Sequence, residues 1–338
     1  MIENPIASVI VLNWNGKRFL QKCIASLLNQ SFNRNYEVLL VDNGSTDGSL
    51  DLVRLHFDRD GRLKIIPLGN NYGFSKGNNL GMSYSRGKYL VVLNDDTEVE
   101  PNFLKELVET AESDENIASV SCKVKYYNGN VWFGQYFTNH GFIVPFLTQN
   151  LFKAALAEKY SQFSVNLANS GCAVLYRKEV IEKIGGFDED FWADWEDYDL
   201  GYRINIAGYK SVYIPSYLCL HYGGGSFGFS PNRMGRMYTN MLFTYFKNYE
   251  RKNFAFRFPI FLWFLLPLYH SGWIVDRLLF SPPDYNKRKG IEYLFSLPKA
   301  YLKFASQLKT FCRKRYVIDK LRKIPDSQIF SNTYLKFL

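Results

Sequence analysis

The chain has 338 residues, 47% of them hydrophobic and 22% charged, a composition that supports a substantial core and excludes global disorder. Its formal charge of +9 sits at one end: residues 287–338 carry thirteen basic and three acidic side chains, so the rest of the chain is close to neutral. A nucleic-acid binder spreads its cations through the fold, so this distribution argues against nucleic acid as a partner. Length suggests one main domain with an appendage.

In chain order, SVIVL at 8–12 is a short β-branched run that suits a buried parallel strand entering the loop Asn-Trp-Asn-Gly. Residues 17–30 place Phe19, Leu20, Cys23, Ile24, Leu27 and Leu28 at helical spacing. A second strand, 36–41, stops at DNGSTDGS, and a helix at 49–57 and a strand at 63–67 follow. The glycine- and asparagine-rich stretch 69–81 reads as a loop, and the strand 88–93 stops at NDD. A helix is expected at 101–113, strands and a variable loop at 118–149, a strand at 171–176 and a helix at 178–184. The GGFDEDF turn precedes a helix from about 195 to 207 and a short strand at 211–214 that ends before Pro215. Alternating strands and helices predict an α/β fold with a doubly wound, mostly parallel sheet. In such sheets ligands bind at the carboxyl ends of the strands, so the loops NWNG, DNGSTDGS and NDDTE should line one crevice.

Taken singly, these loops have two readings each. Asp42 in DNGSTDGS can accept hydrogen bonds from a base or ribose, or the segment can be a turn with a helix cap. Asp95 and Asp96 in NDDT suit Mg²⁺ or Mn²⁺ bridging a diphosphate, or cap the helix that follows. Glu196 and Asp197 open a helix, where one of them can act as general base or the turn can be a cap led by Asp194. His221 is a structural histidine or a further metal ligand. Gly223–Gly228 formally matches GxGxxG but opens no βαβ unit, so it reads as an accidental match in a loop able to close over a ligand. The five cysteines, Cys23, Cys122, Cys172, Cys219 and Cys312, show no CxxC spacing and predict free or buried thiols in a reducing compartment. The N-terminus has no basic stretch and too short an apolar run for a secretory signal, so a cytosolic body is expected.

The order of these pieces is far more specific than any one of them. VIVLNWNG, LLVDNGSTDGS, NNYGFSKGNNLGM, VVLNDDTEVEP, SGCAVLYRKEVIEKIGGFDEDF and WEDYDLGYRINIAGY, spanning about residues 6–230, together resemble the inverting glycosyltransferases of family 2, and among them the rhamnosyltransferase-like members. The resemblance implies a GT-A fold over 1–230, with a nucleotide half to about residue 100 and an acceptor half beyond it. It implies donor contacts from Asn13, Asn15, Asp42, Asn71, Gly73, Asn79 and Asp95, and a divalent ion, Mn²⁺ or Mg²⁺, held by Asp96 and His221. It implies Asp197 as catalytic base with Glu196 beside it, and Trp192, Asp194 and Trp195 on the acceptor side. NDD is not a literal DxD, which leaves the ligand set open. The implied reaction moves a sugar from a UDP- or dTDP-linked donor to a hydroxyl of a glycan or lipid-linked acceptor. Rival readings are a nucleotidyltransferase of sugar-nucleotide metabolism and a non-catalytic glycan- or nucleotide-binding protein.

Residues 258–275 contain no Asp, Glu, Lys or Arg and sit at the lower length limit for a membrane span. Two prolines interrupt them, and a span would separate a cytosolic body from a tail with positive-inside bias. An interfacial segment is therefore expected. In the tail, Tyr301, Phe304, Leu308 and Phe311 recur at helical spacing among Lys303, Lys309, Arg313, Lys314 and Arg315. Residues 231–338 thus read as a helical, aromatic and basic region that attaches the enzyme peripherally to the inner face of a membrane. The alternative is a helical subdomain packed on the body with a solvated basic face.

Overall fold

The structure is a computed structural model; it describes residues 4–127, 131–132, 161–223, 230–280 and 292–333. The first half alternates strictly: β1 (Ala7–Asn13), α1 (Lys17–Leu28), β2 (Tyr36–Asp42), α2 (Ser49–Phe57), β3 (Leu63–Pro67), α3 (Gly73–Ser83) and β4 (Tyr89–Asn94). Then come β5 (Thr97–Val99), α4 (Phe103–Glu112), β6 (Ile117–Tyr126), β7 (Val131–Trp132), β8 (Ser164–Asn166), β9 (Ala173–Arg177), α5 (Lys178–Ile184), α6 (Glu196–Ile206) and β10 (Lys210–His221). Among the described residues the strands form one sheet in the order β3-β2-β1-β4-β9-β6-β10-β5, with β7 beside β6 and β8 beside β10. The first four strands are parallel, whereas β9 runs antiparallel to both its neighbours. Parallel pairing therefore dominates the first half, and the second half is mixed.

The period-2 pattern of the strands divides the core into two layers. Val9 and Val11 join Leu20, Cys23, Ile24 and Leu27 of α1 and Phe103, Leu104 and Leu107 of α4 on one face. Ile10, Leu39 and Val41 join Met82 of α3, Ile181 of α5 and Leu200 and Ile204 of α6 on the other. Covering both faces is what lets near-continuous apolar runs such as VIVL serve as strands.

The structure corrects two expected elements. Residues 73–83 are a helix, although their glycines and asparagines read as loop. The glycines are there because α3 lies hard against the sheet. A Cβ on Gly77 would stand 2.7 Å from the Leu12 side chain, and one on Gly81 would stand 2.6 Å from that of Ile10. The last strand does not stop before Pro215 but runs on to His221, with its register against β6 shifting between Ile214 and Tyr217. The irregularity absorbs the proline's missing donor and carries the strand to the sheet edge. Most of the 118–149 segment and of the glycine loop after His221 lies outside the described residues.

Beyond the sheet stand α7 (Pro231–Asn248), α8 (Arg251–Ile260), a π-helical turn Phe261–Leu265, α9 (Leu266–Phe280), α10 (Ser296–Leu321) and α11 (Asp326–Thr333). Pro259 and Pro267 withhold two backbone donors, and the π turn lies between them. These helices share a core with the sheet domain: Met234, Tyr238, Met241, Phe243, Phe304 and Phe311 pack with Phe191, Trp195, Tyr198 and Tyr202. The tail's basic face is correspondingly smaller than expected. Lys314 pairs with Asp188 and Asp190, and Arg315 donates to the carbonyls of Phe246 and Tyr249.

Candidate active site at the carboxyl ends of the strands

Parallel register aligns the strand ends: Asn13 stands beside Asp42, and Leu12 beside Asn94. The loops that follow meet at one edge. Asn13 is the hub of the first pair, its amide nitrogen donating to Asp42 Oδ1 (2.9 Å), Ser45 Oγ (2.9 Å) and Ser49 Oγ (3.0 Å). Asn15, in a left-handed conformation, accepts from the Thr46 amide at 2.8 Å and donates its own N–H to Ser45 at 2.9 Å. Asp42 also accepts from the Ser45 amide at 3.2 Å. Asn71 accepts from the Gly73 amide and from the side chain of Asn43. Asn43 in turn takes the Tyr72 N–H and donates to the Gly73 carbonyl, so it ties two expected donor loops together. Only its place in the quoted DNG motif pointed to it.

Asn79 does not join this cluster. It lies six residues along α3 from Gly73, about 9 Å at helical rise, and its amide is taken by the backbone of Phe187 on both sides, donating at 2.8 Å and accepting at 2.9 Å. It clasps α3 to the GGFDEDF turn. The resemblance places it beside ribose or diphosphate; in the structure its side chain is engaged in this clasp.

Asp95 and Asp96 are both 5% exposed. Asp95 accepts from the Trp14 amide at 3.3 Å, and burial, with the neighbouring Asp96 charge, pushes its carboxyl up to about 7. Asp96 Oδ1 faces His221 Nε2 at 3.0 Å. The long last strand makes this pairing possible, since His221 is its final residue and sits opposite Thr97 of β5. Among the described residues no three His, Cys, Asp or Glu side chains converge as a ready-made metal cage. A carboxylate oxygen and an imidazole nitrogen at 3.0 Å do fit a divalent ion completed by diphosphate oxygens and water, and the mixed oxygen and nitrogen set suits Mn²⁺ as well as Mg²⁺.

At the acceptor edge the chain takes an unusual path. Trp192, Asp194 and Trp195 all have positive φ, at 60°, 69° and 72°. Three such non-glycine residues in four positions need outside support. That support comes from α7. Asn240 donates to the carbonyls of Phe191, Ala193 and Asp194. Arg233 and Arg236 grip the two carboxylate oxygens of Asp194 at 2.7 and 2.8 Å, and the Arg236 guanidinium lies 4.8 Å from the Trp192 ring centre. Among the described residues Asp194 makes no helix cap; the N-cap of α6 is Trp195, with no side-chain cap. Sequence reading missed Arg233, Arg236 and Asn240, placing them in the appendage.

The loop presents Glu196 and Asp197. Asp197 accepts from the Gly171 amide at 3.3 Å and from the Tyr198 amide at 2.8 Å. Glu196 is buried with its Oε2 unpartnered, and burial followed by the charges of Asp197 and Asp194 raises its carboxyl well above the usual glutamate range. The adjacent carboxyls thus sit in different settings: burial and neighbouring charge favour the protonated form of Glu196, whereas two backbone amides donate to Asp197. Trp192 packs over the start of α3, where a Cβ on Gly73 would stand 2.7 Å from its ring, so the loops expected on the acceptor and donor sides touch. Arg236→Ala is expected to cut kcat by up to about 100-fold with little change in donor KM, because loosening the loop misplaces Asp197. Arg236→Lys, which cannot reproduce the fork, should recover little of it. A steady-state comparison that shows a change confined to KM would count against the clamp.

The sequence profile described as "Glycosyl transferase family 2" matches residues 8–185, more than half of the chain. Among curated relatives, N-acetylglucosaminyl-diphospho-decaprenol L-rhamnosyltransferase of Mycobacterium tuberculosis is 27% identical over 246 residues, 67% of this chain and 79% of that protein. The O-antigen biosynthesis protein RfbC of Myxococcus xanthus is 30% identical over 66% of this chain, which spans 18% of that longer protein. An uncharacterized protein of Sinorhizobium fredii is 26% identical over 68% of this chain, which spans 26% of its length. Two solved structures share the fold at low identity. Mannosyltransferase PcManGT from Pyrobaculum calidifontis, in complex with GDP-Man and Mn2+, has a TM-score of 0.56 at 16% identity, covering 94% of this chain and 86% of its own. S. aureus TarS 1–349 in complex with UDP has a TM-score of 0.53 at 18% identity, covering 93% and 90%.

Proposed function

Because the chain belongs to glycosyltransferase family 2 and has the GT-A fold, we propose that it transfers a sugar, with inversion, from a UDP- or dTDP-linked donor to a hydroxyl of a glycan or lipid-linked acceptor in surface polysaccharide synthesis. The observation that carries this reading is convergence. The Asn13–Asp42–Ser45 donor loops, the Asp96–His221 pair and the Asp197–Glu196 pair share one edge of one sheet. A mycobacterial relative named for a diphospho-decaprenol acceptor supports a lipid-linked acceptor, and neighbours solved with UDP or with GDP-Man and Mn2+ support a nucleotide-sugar donor.

Asp42, with Asn13 and Asn15 around it, offers acceptors to base or ribose. Asp96 and His221 would hold the divalent ion, which when bound supplies positive charge to the departing diphosphate. Asp197 takes the proton of the acceptor hydroxyl as that oxygen attacks the anomeric carbon opposite the leaving group. Trp192 and Trp195 wall the acceptor side. A thermal-shift screen of nucleotide-sugars tests the reading: the matching donor should raise Tm in the presence of Mn²⁺, by about 2.7 kcal/mol of stabilisation at 100 times its Kd. If no nucleotide-sugar shifts Tm with or without the ion, the reading fails.

The enzyme is further proposed to work at a membrane, bound peripherally on the cytosolic face. Arg251–Ile274 forms a helix of 24 residues, long and apolar enough to cross a membrane by length and composition. One stripe of it, Phe256, Ile260, Trp263, Phe264 and Leu268, is 46–70% exposed. The other side packs on α7 and α10, with Phe258 and Phe261 buried. A helix wet on one side and seated on protein on the other favours an interfacial position over a span. Trp263→Glu/Phe264→Glu should leave folding intact and abolish co-sedimentation with anionic vesicles; undiminished sedimentation would refute the interface.

A further inference from the structure

A cavity of about 390 Å³ lies between the loop ending at Trp192, the N-terminal turns of α7 and the N-terminal turns of α10. That is the size of a small-ligand site, and it borders the acceptor side of the centre. Phe191, Phe243 and Ala300 give it apolar walls, and Arg236, Lys299 and Lys303 give it charge. Two of its charged groups are already committed: Arg236 grips Asp194, and Asp190 pairs with Lys314. Lys299 and Lys303, one turn apart on α10, are exposed and enter no ion pair among the described residues. The cavity therefore offers two available ammonium groups beside the acceptor loop.

Its rim is apolar. Phe295 and Leu302 are 57% and 74% exposed, on the helical stripe next to the one bearing the lysines. The neighbouring Tyr301 donates to the Leu262 carbonyl at 2.6 Å and lies 6.3 Å from the Trp263 ring. Tyr301 thus links α10 to the exposed stripe of α8 and the π turn.

We propose that this cavity holds the phosphate linkage of a lipid-tethered acceptor. Its anionic group lies between Lys299 and Lys303, its lipid runs along Phe295, Leu302 and Trp263, and its sugar reaches past Trp192 toward Asp197. The proposal rests on the lipid-linked acceptor reading above and gives it an address. Two lysines a turn apart match the span of a diphosphate, and the exposed Phe295 and Leu302 beside them on α10 give an esterified diphosphate an apolar surface that a free one does not use.

The test is calorimetric, on the full chain in metal-free buffer, with decyl diphosphate as probe below its micelle concentration. Decyl diphosphate should bind, and Lys299→Glu/Lys303→Glu should weaken it by about tenfold or more, while Mn²⁺-dependent nucleoside diphosphate binding and Tm stay at wild-type values. Equal affinity in the variant overturns the proposal. So does inorganic pyrophosphate binding as tightly as decyl diphosphate, which marks a free-anion site, or decyl maltoside doing so, which marks a merely apolar one. Nucleotide-sugar hydrolysis by the wild type is measured alongside. Its absence argues against the catalytic reading, whereas hydrolysis with no effect of the lysine variant rejects the cavity alone.

Discussion

Asp197→Asn is expected to lower turnover by roughly 10²–10⁴-fold, the usual worth of a positioned general base, with donor affinity nearly unchanged. The substitution is close to isosteric, and the amide oxygen can still accept from the Tyr198 or Gly171 N–H groups that orient the carboxylate. What it removes is the capacity to take a proton. Glu196→Gln should cost much less. Burial and the charges of Asp197 and Asp194 favour the protonated form of Glu196, which an uncharged amide resembles. The pair of variants therefore separates the two roles. A Glu196→Gln defect larger than that of Asp197→Asn would exchange them, and near-wild-type turnover in both would remove the base from this loop. Burst and steady-state assays with saturating donor read this directly, since a loss confined to kcat points to the transition state.

Which parts of this centre were legible in the sequence follows from the range of the forces involved. SVIVL, YEVLLV and KYLVVL are buried parallel strands, and their composition alone announces them, because a strand covered on both faces needs an unbroken apolar run. The polar residues that stop them fall at one sheet edge by topology, so Asn13, Asp42, Asp95 and Asp96 could be grouped before any coordinates. The α3 helix was hidden for a complementary reason. Its glycines answer to Leu12 and Ile10 across the sheet, and a local reading of Gly and Asn counts them only as breakers. Pro215 misled in the same way, since a register shift inside the strand is a tertiary accommodation. The arginine clamp was wholly out of reach. Asp194 and Arg236 are 42 residues apart, and nothing in the spacing of either segment declares the pairing. The side chains that brace the Trp192–Trp195 loop thus come from the region that composition favoured for membrane attachment.

That dependence makes a buried charge cluster the most consequential structural feature outside the centre. Lys247, 1% exposed at its side chain, pairs with Asp188 and with Asp199, the latter at 2.9 Å. Asp188 also pairs with Lys314 of α10, and Asp199 with Arg203 at 2.9 Å and with the Asn248 amide at 2.8 Å. The three lysine or arginine groups balance Asp188, Asp190 and Asp199, and between them they join the GGFDEDF turn, α6, α7 and α10. Burial opposes ionisation of Asp188, but Lys247 and Lys314 outweigh it and hold its carboxyl below the usual range. Stability from this carboxylate is therefore full above the ordinary aspartate range and is lost as pH falls through the depressed folded value. Lys247→Met fills the same volume and leaves the carboxylates one cation short, at a cost of roughly 3–5 kcal/mol, the penalty for breaking a buried pair. The lower end is expected, because Asp188 keeps Lys314 and Asp199 keeps Arg203. Adding Asp188→Asn restores the charge balance, so the double variant should be more stable than Lys247→Met alone, a non-additivity that simple loss of packing would not produce. Urea unfolding followed by tryptophan fluorescence measures all three proteins. A Lys247→Met shift below about 1 kcal/mol, the range of exposed pairs, would show that the cluster is solvated and that α7 is held to the catalytic loop by its arginines and Asn240 instead.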